Sequence, residues 1–249
     1  MKWLRFFRIV NLPTVPGDVL VGASVVTAVS SACGARPPSA AALGAACLVS
    51  VLMYMFGLAQ NDILGAKTDV GRPIPEGLIS LGQAKTACAL CWVFAGLILP
   101  YPWGRMPLYA WAYLSVMTGL VSAYNVTKRP LLMGLCRGVN LMLGAAVALS
   151  ALEGAVLSRP LWVATGLGVL WTAYIAAVTK YSEGEEADAA KKRCVGLLIG
   201  ALVYLQLIVL IVAYLHAPGV LTRGALLGGA AMLIVLRFLK RILPEVSAS

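Results

Sequence analysis

Two aspartates seven residues apart, Asp62 and Asp69, stand in the stretch AQNDILGAKTDVGRPIPEG, where a long apolar run ends. If a helix continues through them, seven residues is two turns, and both carboxylates leave one face. Two such oxygens can hold Mg²⁺, a hard ion that keeps waters and bridges to phosphates. Asn61 and Gln60 precede the pair, and Arg72 follows as a guanidinium that fits a phosphate bidentately. A polar loop of solvated charges is the other role open to these residues. A second acidic cluster, YSEGEEADAAKKR, runs from Tyr181 to Arg193 and includes Glu183, Glu185, Glu186 and Asp188. It could hold metal, although a solvated loop is the commoner role of such a run. A third stretch, SAYNVTKRPLLMGLCRGVN, carries Tyr124, Asn125, Lys128 and Arg129, then Arg137 and Asn140 inside the next apolar run. An arginine within a membrane span is costly, which makes Arg137 a functional candidate; the alternative is capping of carbonyls or pairing with a carboxylate. Asp18, in PGDVLVG, either faces a cavity and orients an acceptor or caps the start of a helix.

Other chemistries find little support. His216 is the single histidine, so neither a Ser–His nor a Cys–His nucleophile is expected. Cys88 and Cys91 form a C-x-x-C, but they and most of the other cysteines lie in apolar runs, where the thiol serves as a small hydrophobe.

The elements that must position these groups follow from composition. Of 249 residues 60% are hydrophobic and 12% charged. The charged share is half that of an ordinary soluble domain, at about 25%. About 20 apolar residues cross a bilayer. Eight spans are predicted, at about 14–33, 38–61, 81–100, 106–126, 130–152, 160–180, 194–216 and 219–240, punctuated by Pro, Gly and charged residues. The whole chain, 1–249, reads as one all-α, multi-pass transmembrane helical bundle. MKWLRFFRIV, basic and aromatic, suits a short interfacial helix. SSACG around Cys33 lacks the leucine that a lipoprotein cleavage site carries three residues earlier, so an uncleaved first helix is expected.

The net charge of +10 is spread over the ends of apolar runs, not gathered in one patch, which argues against a nucleic-acid partner. Of the twenty Lys and Arg residues, fifteen fall in the N-terminus, the 62–85 loop, the 128–129 turn, the 180–193 loop and the C-terminal end. Four (Arg36, Arg105, Arg159 and Arg223) fall on the other side, and Arg137 is within a span. By the positive-inside rule the first group is cytoplasmic, as are both termini, which places the chain in the inner (cytoplasmic) membrane. The acidic clusters share that side.

NDILGAKTD…RPIPEG resembles the first aspartate-rich motif of the UbiA superfamily of intramembrane prenyltransferases, N-D-x-x-D-x-x-x-D followed by R-P. YNVTKRP is similar to the family's Y-x-x-x-K-R segment, and YSEGE falls where the family has a second motif, D-x-x-x-D. The likeness covers nearly the whole chain; GDVLVG, YNVTKRP and MGLCRGVN look most like the small EboC-type branch. Departures are Gly65 in place of the middle aspartate, Tyr181 and Glu185 at the second motif's positions, and eight spans against the family's usual nine.

The resemblance implies Mg²⁺-dependent transfer of a prenyl group from an allylic isoprenyl diphosphate. The small acceptor would be an aromatic ring, a quinone precursor or a polyol, and the site a cytoplasmic mouth within the bilayer. It implies that Asp62, Asp69 and Glu185 hold the metal and that Lys128 and Arg129 join them in catalysis. It further implies that Asn61, Arg72, Tyr124, Asn125, Arg137, Glu183, Tyr181 and Asp18 bind substrate. The alternative is a non-catalytic or transport-type membrane protein that keeps the fold and binds a prenyl lipid. A CDP-alcohol phosphotransferase would need D-G-x-x-A-R, which the chain lacks.

Overall fold

The computed structural model describes residues 2–31, 37–69, 71–103, 107–152, 158–184 and 188–242. Glu185 and Glu186, and Cys33 with Arg36, lie outside the described residues. Among the described residues, two short α-helices occur, α1 (Lys2–Phe6) and α5 (Pro100–Trp103), with a 3-10 turn at Ile9–Asn11. The eight long ones are α2 (Thr14–Ser30), α3 (Ala40–Leu64), α4 (Leu81–Ile98), α6 (Pro107–Thr127), α7 (Pro130–Leu149), α8 (Ser158–Ser182), α9 (Ala189–His216) and α10 (Val220–Ile242). No strand occurs among the described residues.

Seven helices among the described residues are long and apolar enough to cross a bilayer. The remaining one, the fourth predicted span (α6), has 21 residues but is less apolar, because Tyr109, Trp111, Tyr113, Tyr124 and Asn125 interrupt it. The starts of the helices are written in the sequence. Ser39 Oγ accepts from Ala42 N–H (3.1 Å) to open α3, and Ser80 and Gln83 form a reciprocal capping box on α4 (3.1 and 3.2 Å). Pro130 opens α7, and Asp188 accepts from Ala190 and Lys191 N–H (2.8 and 3.2 Å) to open α9.

The central pair is α2 and α7. Of their apolar windows 67% and 61% are buried inside the protein, against 22% for α4, α8 and α10, which turn most of their surface outward to lipid. Close approach makes this pair possible. A Cβ on Gly144 would run into Val19 O, and one on Gly22 into Leu141 O, so the two backbones touch where side chains would hold them apart. Around this pair α3 packs against α2, α8 against α7, and α9 and α10 against α2; α4 lies outside α3, and α6 bridges α3 and α7.

The N-terminal segment folds back over one end of the bundle. Phe6 is fully buried, Trp3, Phe6 and Phe7 pack ring on ring, and Val10 inserts beside Val203 and Leu236. Arg5 donates to Glu76 (3.1 Å) and to Gly71 O (3.2 Å), which ties α1 to the loop after α3.

Candidate active site

The end where the N-terminal segment, the loop after α3 and the 128–129 turn meet is a charged mouth. Asn61 and Asp62 lie in the last turn of α3, and Asp62 is only 1% exposed. The helix does not continue to Asp69 as the two-turn reading required. It stops at Gly65, whose N–H bonds Asn61 O (3.0 Å), and the Asp69 N–H turns back to Gly65 O (2.9 Å). This reversal lays the Asp69 carboxyl group on Gly65: a Cβ at 65 would fall less than 3.0 Å from all three carboxyl atoms, inside van der Waals contact. The side chain of Asp69 thus occupies the space where a side chain at 65 would begin. Asp62 and Asp69 still converge, through a turn and not along one helical face.

Cations surround them. Arg8 Nη2 donates to Asp62 Oδ1 (3.4 Å), while Asp62 Oδ2 and Arg8 Nε are buried without a hydrogen-bond partner. Lys128 Nζ donates to Asn61 Oδ1 and lies 5.6 Å from the Tyr124 ring centre. Both cations sit on left-handed backbone, Arg8 at φ 42° and Lys128 at φ 53°. For non-glycine residues that conformation costs of order 1–3 kcal/mol and concentrates at functional sites. Burial holds the Lys128 ammonium below its ordinary pKa. The Asp69 carboxylate opposes that shift, Arg8 and Arg72 add to it, and Asp62 opposes it, so all five charges act within one electrostatic neighbourhood. Arg129 is exposed at the start of α7.

Below the mouth opens a cavity of about 130 Å³ between α2, α3, α6 and α7. Arg8, Asn61 and Tyr124 stand at its rim, Tyr54, Met53, Met117 and Met133 along its wall, and Ser50 with Asn140 deeper in. From Asn61 to Ser50 along α3 is ~16 Å at 1.5 Å per residue. Its wall is largely apolar, and its polar groups are mostly spoken for. Asn125 donates to Gly57 O and Gln60 Oε1 (both 2.9 Å), and Gln60 donates to Ser122 Oγ (2.9 Å). These bonds clamp α6 to α3; Asn125 faces the cavity but its amide N–H groups are engaged. At depth Ser50 Oγ donates to Asn140 Oδ1 (2.6 Å).

Asp18 does not line this cavity. It is fully buried and ties four helices together. Its Oδ1 accepts from Arg137 Nη2 (3.1 Å), Trp171 Nε1 (2.8 Å) and Gln206 Nε2 (2.8 Å), and its Oδ2 from Asn140 Nδ2 (3.1 Å). Arg137 Nε stands 2.8 Å from Oδ2 as an ion-pair contact without hydrogen-bond alignment, and its Nη2 also bonds Thr14 O (2.9 Å). Arg137 reaches the cavity wall from this hub. The expectation of an acceptor-orienting Asp18 gives way to a structural hub whose carboxylate oxygens are all engaged.

The second acidic loop is engaged locally. Glu183 Oε2 accepts from Lys180 (2.7 Å), Glu183 O from Lys191 Nζ (2.5 Å), and Lys191 lies 5.5 Å from the Tyr181 ring centre. Among the described residues no group of three or more His, Cys, Asp or Glu side chains is arranged to hold a metal ion. Glu185, the expected third carboxylate, lies outside them. Arg8, which the sequence reading assigned only to topology, is the residue it missed at the mouth. At the hub it missed Trp171 and Gln206. Nothing local marks Arg8 as different from Lys2 or Arg5; a polar glutamine inside an apolar span was a usable signal for Gln206.

These features define a class: a multi-pass helical membrane protein with an acidic and cationic mouth over an apolar cavity. The model of the UbiA prenyltransferase family matches residues 21–245, and the chain belongs to that family. Among solved structures it is similar to a UbiA homologue from Archaeoglobus fulgidus (TM-score 0.54, 15% identity, covering 100% of this chain and 90% of that one). The same homologue bound to GPP and Mg²⁺ gives a TM-score of 0.55 at 14% identity, covering 97% and 88%. A digeranylgeranylglyceryl phosphate synthase gives 0.50 at 14% identity, covering 99% and 96%. At these identities the likeness establishes the fold. A search of curated protein sequences finds no match.

Proposed function

We propose that the protein transfers a prenyl group from an allylic isoprenyl diphosphate to a small acceptor, with the diphosphate at the mouth and the prenyl chain in the apolar cavity. The single observation that carries this reading is the buried, unpartnered Asp62 Oδ2 facing Asp69 and three cations above a largely apolar cavity of about 130 Å³. The residues fit Mg²⁺: a buried carboxylate oxygen needs a partner, and a hard oxygen donor set suits that ion. Asp62 and Asp69 would hold it, joined by Glu185 from the second loop. Bound there, Mg²⁺ neutralises the diphosphate and stabilises it as a leaving group. A related Archaeoglobus fulgidus structure contains GPP and Mg²⁺, which supports the same choice of donor.

The chain's own groups then do the rest. Lys128, Arg129 and Arg72 supply positive charge where the leaving group's charge develops. Asn61 orients the Lys128 ammonium by hydrogen bond. The Tyr124 ring at the rim offers a π-face to the allylic cation that forms when the C–O bond breaks. The apolar wall keeps water from that cation until the acceptor attacks. The three methionines let the wall adapt to chain shape. The acceptor is a small aromatic ring, quinone precursor or polyol. The mouth faces the cytoplasm, by the excess of Lys and Arg on that side.

A non-catalytic prenyl-lipid carrier is the second reading, favoured by Gly65 and by the ion pair that Arg8 makes with Asp62. One experiment separates the two. Membranes carrying the protein are given geranyl, farnesyl or geranylgeranyl diphosphate with and without Mg²⁺, and lipids from cells with and without the gene are compared by mass spectrometry. Mg²⁺-dependent consumption together with a new prenylated lipid supports transfer. A prenyl lipid that co-purifies without turnover supports the carrier.

A further inference from the structure

The Arg8–Asp62 contact is a poor ion pair in a place where a good one is needed. Asp62 is 1% exposed, and a buried carboxylate must be paired. Yet one guanidinium arm reaches one oxygen at 3.4 Å, while Arg8 Nε and Asp62 Oδ2 both stay unpartnered. The geometry is held from outside. On one side of Arg8, Phe6 is fully buried and Arg5 grips Glu76 and Gly71 O; on the other, Val10 is buried against Val203 and Leu236. The backbone between these anchors takes the left-handed conformation that a side chain disfavours. With the backbone fixed, only the side chain is left to move, and it already lines the cavity rim.

Resting on the diphosphate reading above, we propose that Arg8 is a stand-in cation for Asp62, held against the carboxylate until a divalent cation arrives with a diphosphate. The guanidinium then leaves Asp62 for the diphosphate oxygens. Metal and diphosphate therefore bind cooperatively, and metal alone binds weakly because it must displace Arg8. A guanidinium suits both partners, since its fork matches a carboxylate and a phosphate alike. The buried, unpartnered atoms on each side of the pair are those that the exchange uses once the guanidinium swings away: Asp62 Oδ2 for the metal, and Arg8 Nε for the incoming anion.

The signature is a change of opposite sign in two affinities. Full-length protein in lipid nanodiscs is titrated with Mn²⁺ alone, and separately with labelled pyrophosphate at saturating Mn²⁺. In R8Q, Mn²⁺ alone should bind about fivefold tighter or more, and pyrophosphate weaker by a similar factor, within the usual range of coupling between sites. An unchanged or weaker Mn²⁺ affinity in R8Q, in protein that melts like the wild type, overturns the proposal. Should R8Q fail to fold, R8K carries the test. It keeps the cation and loses the fork, so Mn²⁺ alone should bind as in the wild type while pyrophosphate binds more weakly; full pyrophosphate affinity in R8K overturns the proposal. Wild-type protein that binds neither probe defeats the diphosphate reading, and the role of Arg8 falls with it. Wild-type binding of both, with R8Q indistinguishable, defeats the role of Arg8 alone.

Discussion

Two aspartate–arginine pairs in this protein are built from the same side chains and differ in nearly everything else. Asp18 and Arg137 meet in the middle of the bundle, the carboxylate receives donors from α7, α8 and α9, and both its oxygens are engaged. Asp62 and Arg8 meet at the mouth through one arm at 3.4 Å, with an open atom on each side. A buried carboxylate with both oxygens bonded to neighbouring helices is a joint: nothing can approach it without breaking something. A buried charge left half satisfied is a seat. The contrast separates architecture from chemistry where residue type alone does not.

The sharpest way to break the comparison is to neutralise each aspartate in turn. D62N should abolish Mg²⁺-dependent consumption of an allylic diphosphate, by at least about 100-fold, while its melting temperature in detergent stays near that of the wild type. D18N should do the reverse. It leaves Arg137 unpaired in the core at a cost of about 3–5 kcal/mol, a melting temperature lower by on the order of 10 °C. If D18N melts normally and D62N does not, the two roles are exchanged.

A gentler disturbance of the joint is G144A. The added methyl forces α2 and α7 apart and should cost about 1–3 kcal/mol, read as a lower melting temperature with the diphosphate-binding mouth intact. On the seat, Lys128 is tested by pH. Its pKa is lowered by burial, so its charge is lost, as pH rises, earlier than that of an ordinary lysine. Diphosphate affinity should fall over that limb, and K128R, which keeps its charge, should move the limb to higher pH. The smallest effect is expected from E183Q. Its ion pair with Lys180 is exposed on both sides and is worth under about 0.5 kcal/mol. A large loss of activity in E183Q would mean that the second loop reaches the site through Glu183.

Much of the fold was legible in the sequence because its signals are local. Long apolar runs, Ser39, Ser80 and Asp188 at helix starts, and Pro130 at a first turn mark boundaries within a few residues. The count of spans was harder at α6, whose tyrosines and tryptophan lower its hydropathy without shortening it. The stretch from Asn61 to Asp69 was legible as a site, but its path was not, since Gly65 ends the helix and Asp69 returns by a turn. The hub was legible only in its members: Asp18 and Arg137 stood out as charges among apolar residues, with pairing to a carboxylate the alternative role of Arg137, but which groups meet was not. Asp18, Arg137, Trp171 and Gln206 come from four helices, and their convergence depends on packing angles that no local pattern encodes. Arg8 was hidden for a related reason: a basic residue beside a first span reads as a topology signal whether or not it faces a carboxylate.

The contact between Gly65 and the Asp69 carboxyl group bears on how such a site can change over generations. A side chain begun at 65 and the carboxyl group of Asp69 claim the same volume, so the one displaces the other. Restoring the family's middle aspartate by G65D alone would drive the new side chain into Asp69. The Asp69 carboxyl group is the far end of a flexible side chain, so it can swing aside to make room. A carboxylate gained at 65 would therefore come with a relocation of the one at 69, and the reach of Asp69 into the mouth, not the backbone turn that carries it, is what such a substitution would alter.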